Sequence, residues 1–140
     1  MTSRQIDLVQ ESFQPVQAIA TEAARLFYGR LFEIDPTLRP MFRGDLNEQG
    51  KKLMQVLAVG VDALRRPETI LPTLEDLGRW HAAYGVTDQH YGTVATALLW
   101  TLQQGLGEAF AAEVKEAWTA MYELFASTIQ GGARTAAATA

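Results

Sequence analysis

The chain of 140 residues contains no cysteine. That excludes disulfides, thiolate-held zinc, iron–sulfur clusters, thiol nucleophiles and covalent haem attachment through a Cys-x-x-Cys-His motif. Basic excess is also lacking: 12 Lys and Arg stand against 16 Asp and Glu, for a net charge of -4 and a pI near 5.1. No segment gathers Lys and Arg on one face, so the sequence argues against a nucleic-acid partner. Long apolar runs are missing too. The longest, around residues 94–100, is far too short to span a bilayer, and the start, MTSRQIDLVQESF, has no basic region leading into an apolar core. The expectation is a cytoplasmic protein with no membrane partner. No segment alternates convincingly in the manner of a strand.

What is present is helix. Apolar residues make up 48% of the chain, many of them alanine, enough for one core in one domain. Thr2 and Gln5 have capping-box spacing ahead of Ile6, Val9, Phe13 and Val16, with Pro15 expected to bend this first helix or lie near its end. A second helix is predicted over about residues 19–34, with Tyr28 inside its apolar face. Asp35 and Pro36 read as a cap and first-turn proline for a short turn ending near Phe42. A longer helix follows over about 46–64, with Gln49 as the polar member at its outer end, and Pro67 breaks the pattern. After the next helix, Thr87 or Asp88 starts one that fades at Gly105, and a last helix is predicted over about 110–129. The ending GGARTAAATA reads as a frayed or disordered tail, so the organisation expected is a domain over 1–130 and a low-complexity tail over 131–140.

The stretch TLEDLGRWHAAYGV, residues 73–86, stands apart because it places one histidine on an apolar helical face. Thr73 with Asp76 resembles a helix start and Gly85 a stop, so Leu77 and His81 share a face one turn apart. An imidazole in an apolar interior needs a partner for each ring nitrogen, either a protein hydrogen bond or a metal. Taken alone, the stretch favours a hydrogen-bonded histidine over a ligand, and both readings stay open at this point.

With the helices in order, Tyr28, Phe42, Gln49 and His81 fall in line, and segments such as LFYGRLFEIDP, KKLMQVL, ILPTLEDLG and HAAYGV followed by HYGTV accompany them. The chain resembles a globin over about residues 3–130, in particular single-domain bacterial globins related to flavohaemoglobins and to neuroglobin-like proteins. The resemblance implies an all-α globin fold of about seven to eight helices around a non-covalent haem b (iron protoporphyrin IX). His81 would then be the metal ligand, with a backbone carbonyl near Leu77 or Gly78 accepting from its other nitrogen. Phe42 would pack against the porphyrin, although a corner aromatic plugging the core predicts similar burial. Lys52, Leu77, Val86, Tyr91 and Val94 complete the residues that the resemblance places around the cofactor. Tyr28 and Gln49 would donate hydrogen bonds to bound oxygen, which takes up negative charge, and Leu53 would wall the pocket against water. Carbon monoxide, less polarised, should gain less from them.

The proximal side departs from the family. Flavohaemoglobins join a tyrosine and a glutamate to the axial histidine; Tyr91 matches the tyrosine, whereas the glutamate position, counted from Trp118, falls near Ala133. Neither a reductase domain nor a glycine fingerprint of one follows, so multiple-turnover redox chemistry would call for an external reductase. His90 is expected to be solvated, since a third ligand for a two-histidine zinc site is not evident. The leading functional expectation is reversible, high-affinity oxygen binding. The alternative is nitric oxide dioxygenation with a separate reductase, and a haem-based gas sensor or haemless interaction module has less support.

Overall fold

The computed structural model of the chain describes residues 1–42, 44–83 and 85–139, with side chains through residue 132. The described residues form six α-helices and four short 3-10 turns, with no strand among them. Part of the expected helix count is thus made up by 3-10 segments. Helix α1 spans Ser3–Ala18 and opens with the predicted capping box: Gln5 N donates to the Thr2 hydroxyl at 3.1 Å, and the Thr2 N–H reaches Gln5 Oε1 at 3.0 Å. Pro15 lies inside α1 and the helix continues past it to Ile19, whose N–H returns to Val16 O at 3.1 Å.

Helix α2 spans Ala20–Ile34. Asp35 caps the following 3-10 turn, Pro36–Met41, by accepting from Thr37 N at 3.0 Å, the role expected of an aspartate before a first-turn proline. Helix α3, Leu46–Asp62, begins at Asp45, which accepts from Asn47 N at 2.9 Å. Two 3-10 turns, Ala63–Arg65 and Pro67–Thr69, then lead to α4, Leu71–Ala83. The start of α4 corrects the sequence reading. The helix begins two residues before Thr73 and takes Pro72 into its first turn, where a missing N–H costs nothing.

Helix α5 spans Asp88–Leu106, and after a 3-10 turn at Gly107–Ala109 the chain closes with α6, Ala112–Thr139. The last helix therefore runs past residue 129 and through both glycines of the ending, which the sequence suggested would stop it. A glycine inside a helix costs about 1 kcal/mol relative to alanine. Gly132 has a reason to be there: it is buried where α6 crosses α4, and a β-carbon at this position would collide with the Glu75 backbone.

The core gathers around Trp118, which is fully buried with Val9, Leu31, Leu74, Leu102 and Met121. The Trp118 indole N–H donates to the Ser12 hydroxyl at 2.8 Å, and the Phe13 ring tilts against it with centroids 6.0 Å apart. Helices α2 and α3 cross closely at Ala24 and Gly50, while α4 packs along α6. Consecutive in the chain, α3 and α4 thus rest on different partners and do not pack extensively on one another among the described residues.

Candidate functional site

His81 lies in the last turn of α4, half-buried, one turn after half-buried Leu77 and following buried Leu74 and Gly78. The helix ends because Gly85 takes φ +83, a left-handed conformation that residues with a β-carbon rarely adopt. Val86 N then donates to His81 O at 3.0 Å, and half-buried Val86 leads into α5. Thr87 opens α5, and His90 folds back so that its Nδ1 accepts from Thr87 N at 3.0 Å. The second histidine is therefore a helix cap, where a solvated side chain was expected. The Thr-x-x-His spacing, a capping box with imidazole in place of a carboxylate or amide, was the available signal.

One turn into α5, the Tyr91 hydroxyl stands 3.2 Å from His81 Nδ1. This corrects the expected carbonyl near Leu77 or Gly78: the partner is a phenol from the next helix. Tyr91 is itself tied to α6, since the Tyr122 hydroxyl donates to the Tyr91 carbonyl at 2.6 Å. Sequence reading did not single out Tyr122 for this, because at helical spacing it is indistinguishable from a core aromatic. Burial lowers the His81 pKa below its ordinary 6.5, favouring the neutral ring. The Tyr91 pKa is raised, first by burial and then by the Asp88 carboxylate, and burial likewise raises that of Tyr122. Nε2 of His81 has no hydrogen-bond partner among the described residues. A neutral imidazole with one nitrogen oriented by a phenol and the other open is equipped to ligate a metal.

A second group of residues assembles where α2 meets α3. Tyr28 is buried, and its hydroxyl donates to the backbone carbonyl of Gln49 at 3.3 Å. At that length the bond is weaker than an ordinary hydroxyl bond. Burial pushes the Tyr28 pKa up to about 12, so the phenol stays protonated and able to donate near neutral pH. The Phe42 ring meets Tyr28 edge-on at 5.3 Å and Phe32 at 5.5 Å, which makes it the plug of an aromatic corner. The Gln49 side chain is half-buried, and its amide has no hydrogen bond among the described residues. Half-buried Leu53, one turn on, lines a small apolar void of about 10 Å³ with Phe27, Leu98 and Trp118.

Val94 is half-buried on α5, three residues after Tyr91, and packs against the core. Lys52 is exposed on α3 without an ion pair among the described residues. Ala133, where the family's glutamate was counted to fall, lies outside the described side chains. The structure thus brings Tyr28, Phe42 and the Gln49 backbone together where α2 meets α3, and links His81, Tyr91 and Tyr122 between α4, α5 and α6.

A family profile described as Globin matches residues 25–129. Among relatives, neuroglobin of Danio rerio is 30% identical over 139 residues, covering 89% of this chain and 87% of that protein. A flavohemoprotein of Bordetella bronchiseptica is 32% identical over 139 residues, covering 96% of this chain and 34% of that protein; the chain thus spans about a third of this larger relative. Among solved structures, an engineered carbene transferase built on a candidate nitric oxide dioxygenase of Rhodothermus marinus superposes with a TM-score of 0.90 at 22% identity, covering 99% and 97% of the two chains. A hexacoordinated heme protein from an anhydrobiotic tardigrade superposes with a TM-score of 0.86 at 18% identity, covering 96% of each chain. At those identities the two structures establish the fold.

Proposed function

The chain belongs to the globin family, and from that premise we propose that it holds a non-covalent haem b through His81 and binds oxygen reversibly with high affinity. The observation that carries this reading is the His81 ring itself: half-buried and favoured neutral, with Nδ1 against the Tyr91 hydroxyl and Nε2 open. The residues present fit such a group, because a neutral imidazole is an axial ligand without further change and the separated helices α3 and α4 carry half-buried apolar side chains at Leu53, Leu57 and Leu77. Phe42, Leu77, Val86 and Val94 would border the group, and Lys52 is free on the surface to approach its carboxylates.

When bound, haem supplies an iron with one coordination position open to a diatomic gas. On the α2–α3 side the chain offers two neutral donors, the Tyr28 phenol and the Gln49 amide, that would favour a ligand carrying partial negative charge. The long bond from the Tyr28 hydroxyl to the Gln49 carbonyl is easily exchanged for a charge-assisted one. Such a bond contributes about 1.5–3 kcal/mol, or roughly tenfold to a hundredfold in affinity. Leu53 would help to keep water away from the group.

The optical spectrum of the purified, haem-supplied protein, reduced without oxygen and then exposed to air, tests the proposal. A five-coordinate ferrous spectrum that converts to a stable oxygenated one is expected; absence of a haem band would overturn it. A second reading, nitric oxide dioxygenation with an external reductase, draws support from the flavohemoprotein relatives and from the phenol placed on His81. Sustained nitrate formation from nitric oxide with a supplied reductase is its expected signature.

A further inference from the structure

The outer side of α2 is not uniformly polar. Ile19 at its N-cap is 42% exposed, Ile34 at its last position is 39% exposed, and half-buried Leu26 lies between them. Glu22 and Arg30 fill the intervals, so Ile19, Glu22, Leu26, Arg30 and Ile34 follow one another at three- and four-residue spacing and form one row along the helix. Two contacts fix this row on the flank of α2 next to α5. The Ile19 side chain reaches Gly105, where an added β-carbon would meet its Cδ1 at 3.8 Å, and the Arg30 guanidinium stands over the Trp100 ring, 5.2 Å from its centroid. Gly29 leaves the place beside Leu26 bare, since a β-carbon there would meet nothing within 4 Å. From Ile19 to Ile34 the row runs apolar, acidic, apolar, basic, apolar. In the opposite direction it runs apolar, basic, apolar, acidic, apolar, which is its own complement.

We propose that this row is the contact surface for a second copy of the chain, an antiparallel α2–α2 pair centred on Leu26. Two copies laid in opposite directions set Glu22 against Arg30 twice, Ile19 against Ile34 twice, and Leu26 against its own counterpart. That is the requirement of an isologous contact, in which one patch must complement itself about a two-fold axis. Glu22, Leu26, Arg30 and Ile34 form an i±4 ridge, and two such ridges interdigitate when helices cross at about 50°. The charges are available for the exchange: Glu22 pairs with Arg25 and Arg30 with Glu33, each within one turn of α2 and in contact with water. Pairs of that kind contribute little, and a guanidinium has donors for a second carboxylate. The row extends over about 22 Å of helix. An interface of this size is small, with a Kd between about 1 μM and about 1 mM. The inference does not depend on a haem at His81.

Sedimentation velocity of the full-length chain over a range of concentrations reads the association directly. A reversible monomer–dimer equilibrium that weakens as salt is added is expected. Glu22→Arg sets two cations against each other at both bridges, and Arg30→Glu sets two anions, so each variant alone should weaken the dimer roughly tenfold or more. An equimolar mixture of the two variants should recover association, because the row with two arginines then faces the row with two glutamates. Damage to the fold could not produce that recovery. Should Arg30→Glu fail to fold, the exposed positions carry the test: Glu22→Arg and Ile34→Lys should each weaken the dimer with the unfolding midpoint of the monomer unchanged. A chain that stays monomeric up to about 1 mM would overturn the inference and leave the row to a different partner. A dimer indifferent to both charge reversals, or a mixture that remains monomeric, would overturn it as well.

Discussion

Gly50 on α3 meets Ala24 on α2 so closely that a β-carbon added at Gly50 would come within 2.8 Å of the Ala24 β-carbon. This crossing brings the Gln49 carbonyl within reach of the Tyr28 hydroxyl. Gly50→Ala should therefore force α2 and α3 apart and destabilise the protein by about 1–3 kcal/mol, despite the better helix propensity of alanine. Denaturant unfolding of Gly50→Ala and of the Gly50→Ala/Ala24→Gly pair checks this. Recovery in the pair is expected, and a stabilised Gly50→Ala would show that the crossing has room.

The indole N–H of fully buried Trp118 has the Ser12 hydroxyl as its acceptor at 2.8 Å. Ser12→Ala leaves that donor unsatisfied in the core, at a cost of about 1–3 kcal/mol. A midpoint unchanged in chemical denaturation would mean that another acceptor takes over.

Tyr28→Phe removes a long hydrogen bond to a carbonyl that already belongs to α3, so the fold should lose no more than about 1 kcal/mol. Oxygen should feel the change far more. Stopped-flow dissociation from the haem-loaded variant is expected to be roughly tenfold to a hundredfold faster, with carbon monoxide affected less. Equal effects on the two gases would argue for a steric role of the phenol.

Burial holds the His81 pKa below its unfolded value of 6.5, so the stability contributed by a neutral ring is complete above 6.5 and is lost as pH falls below it towards the lowered folded value. The sign is that of a depressed pKa: the unfolded chain takes up the proton first. Measured on the haem-free protein between about pH 8 and about pH 5, the stability difference between wild type and His81→Leu should shrink on acidification. A difference that stays flat or grows would mean that the ring is charged in the folded protein.

Much of this was legible in the chain itself. Thr2 with Gln5, Asp35 with Pro36, and Gly85 mark helix ends through contacts within one turn, and such contacts depend only on residues adjacent in sequence. The recurrence of apolar residues at three- and four-residue spacing placed Tyr28 inside for the same reason. Thr73 misled because Pro72 fits a first helical turn and lets the helix begin earlier, and the glycine at 132 misled because packing outweighed propensity, its missing β-carbon letting α6 approach the α4 backbone.

Alone, the sequence determined an all-helical chain with His81 on an apolar face, since helical periodicity and caps are set by neighbours three and four residues apart. Only the tertiary structure decided what that histidine meets. The Tyr91 phenol arrives from α5 and is held by Tyr122 of α6. These partners are brought together by the crossing of helices far apart in the chain, and no local spacing encodes which carbonyl, phenol or carboxylate a crossing will place within 3 Å or so of a ring nitrogen.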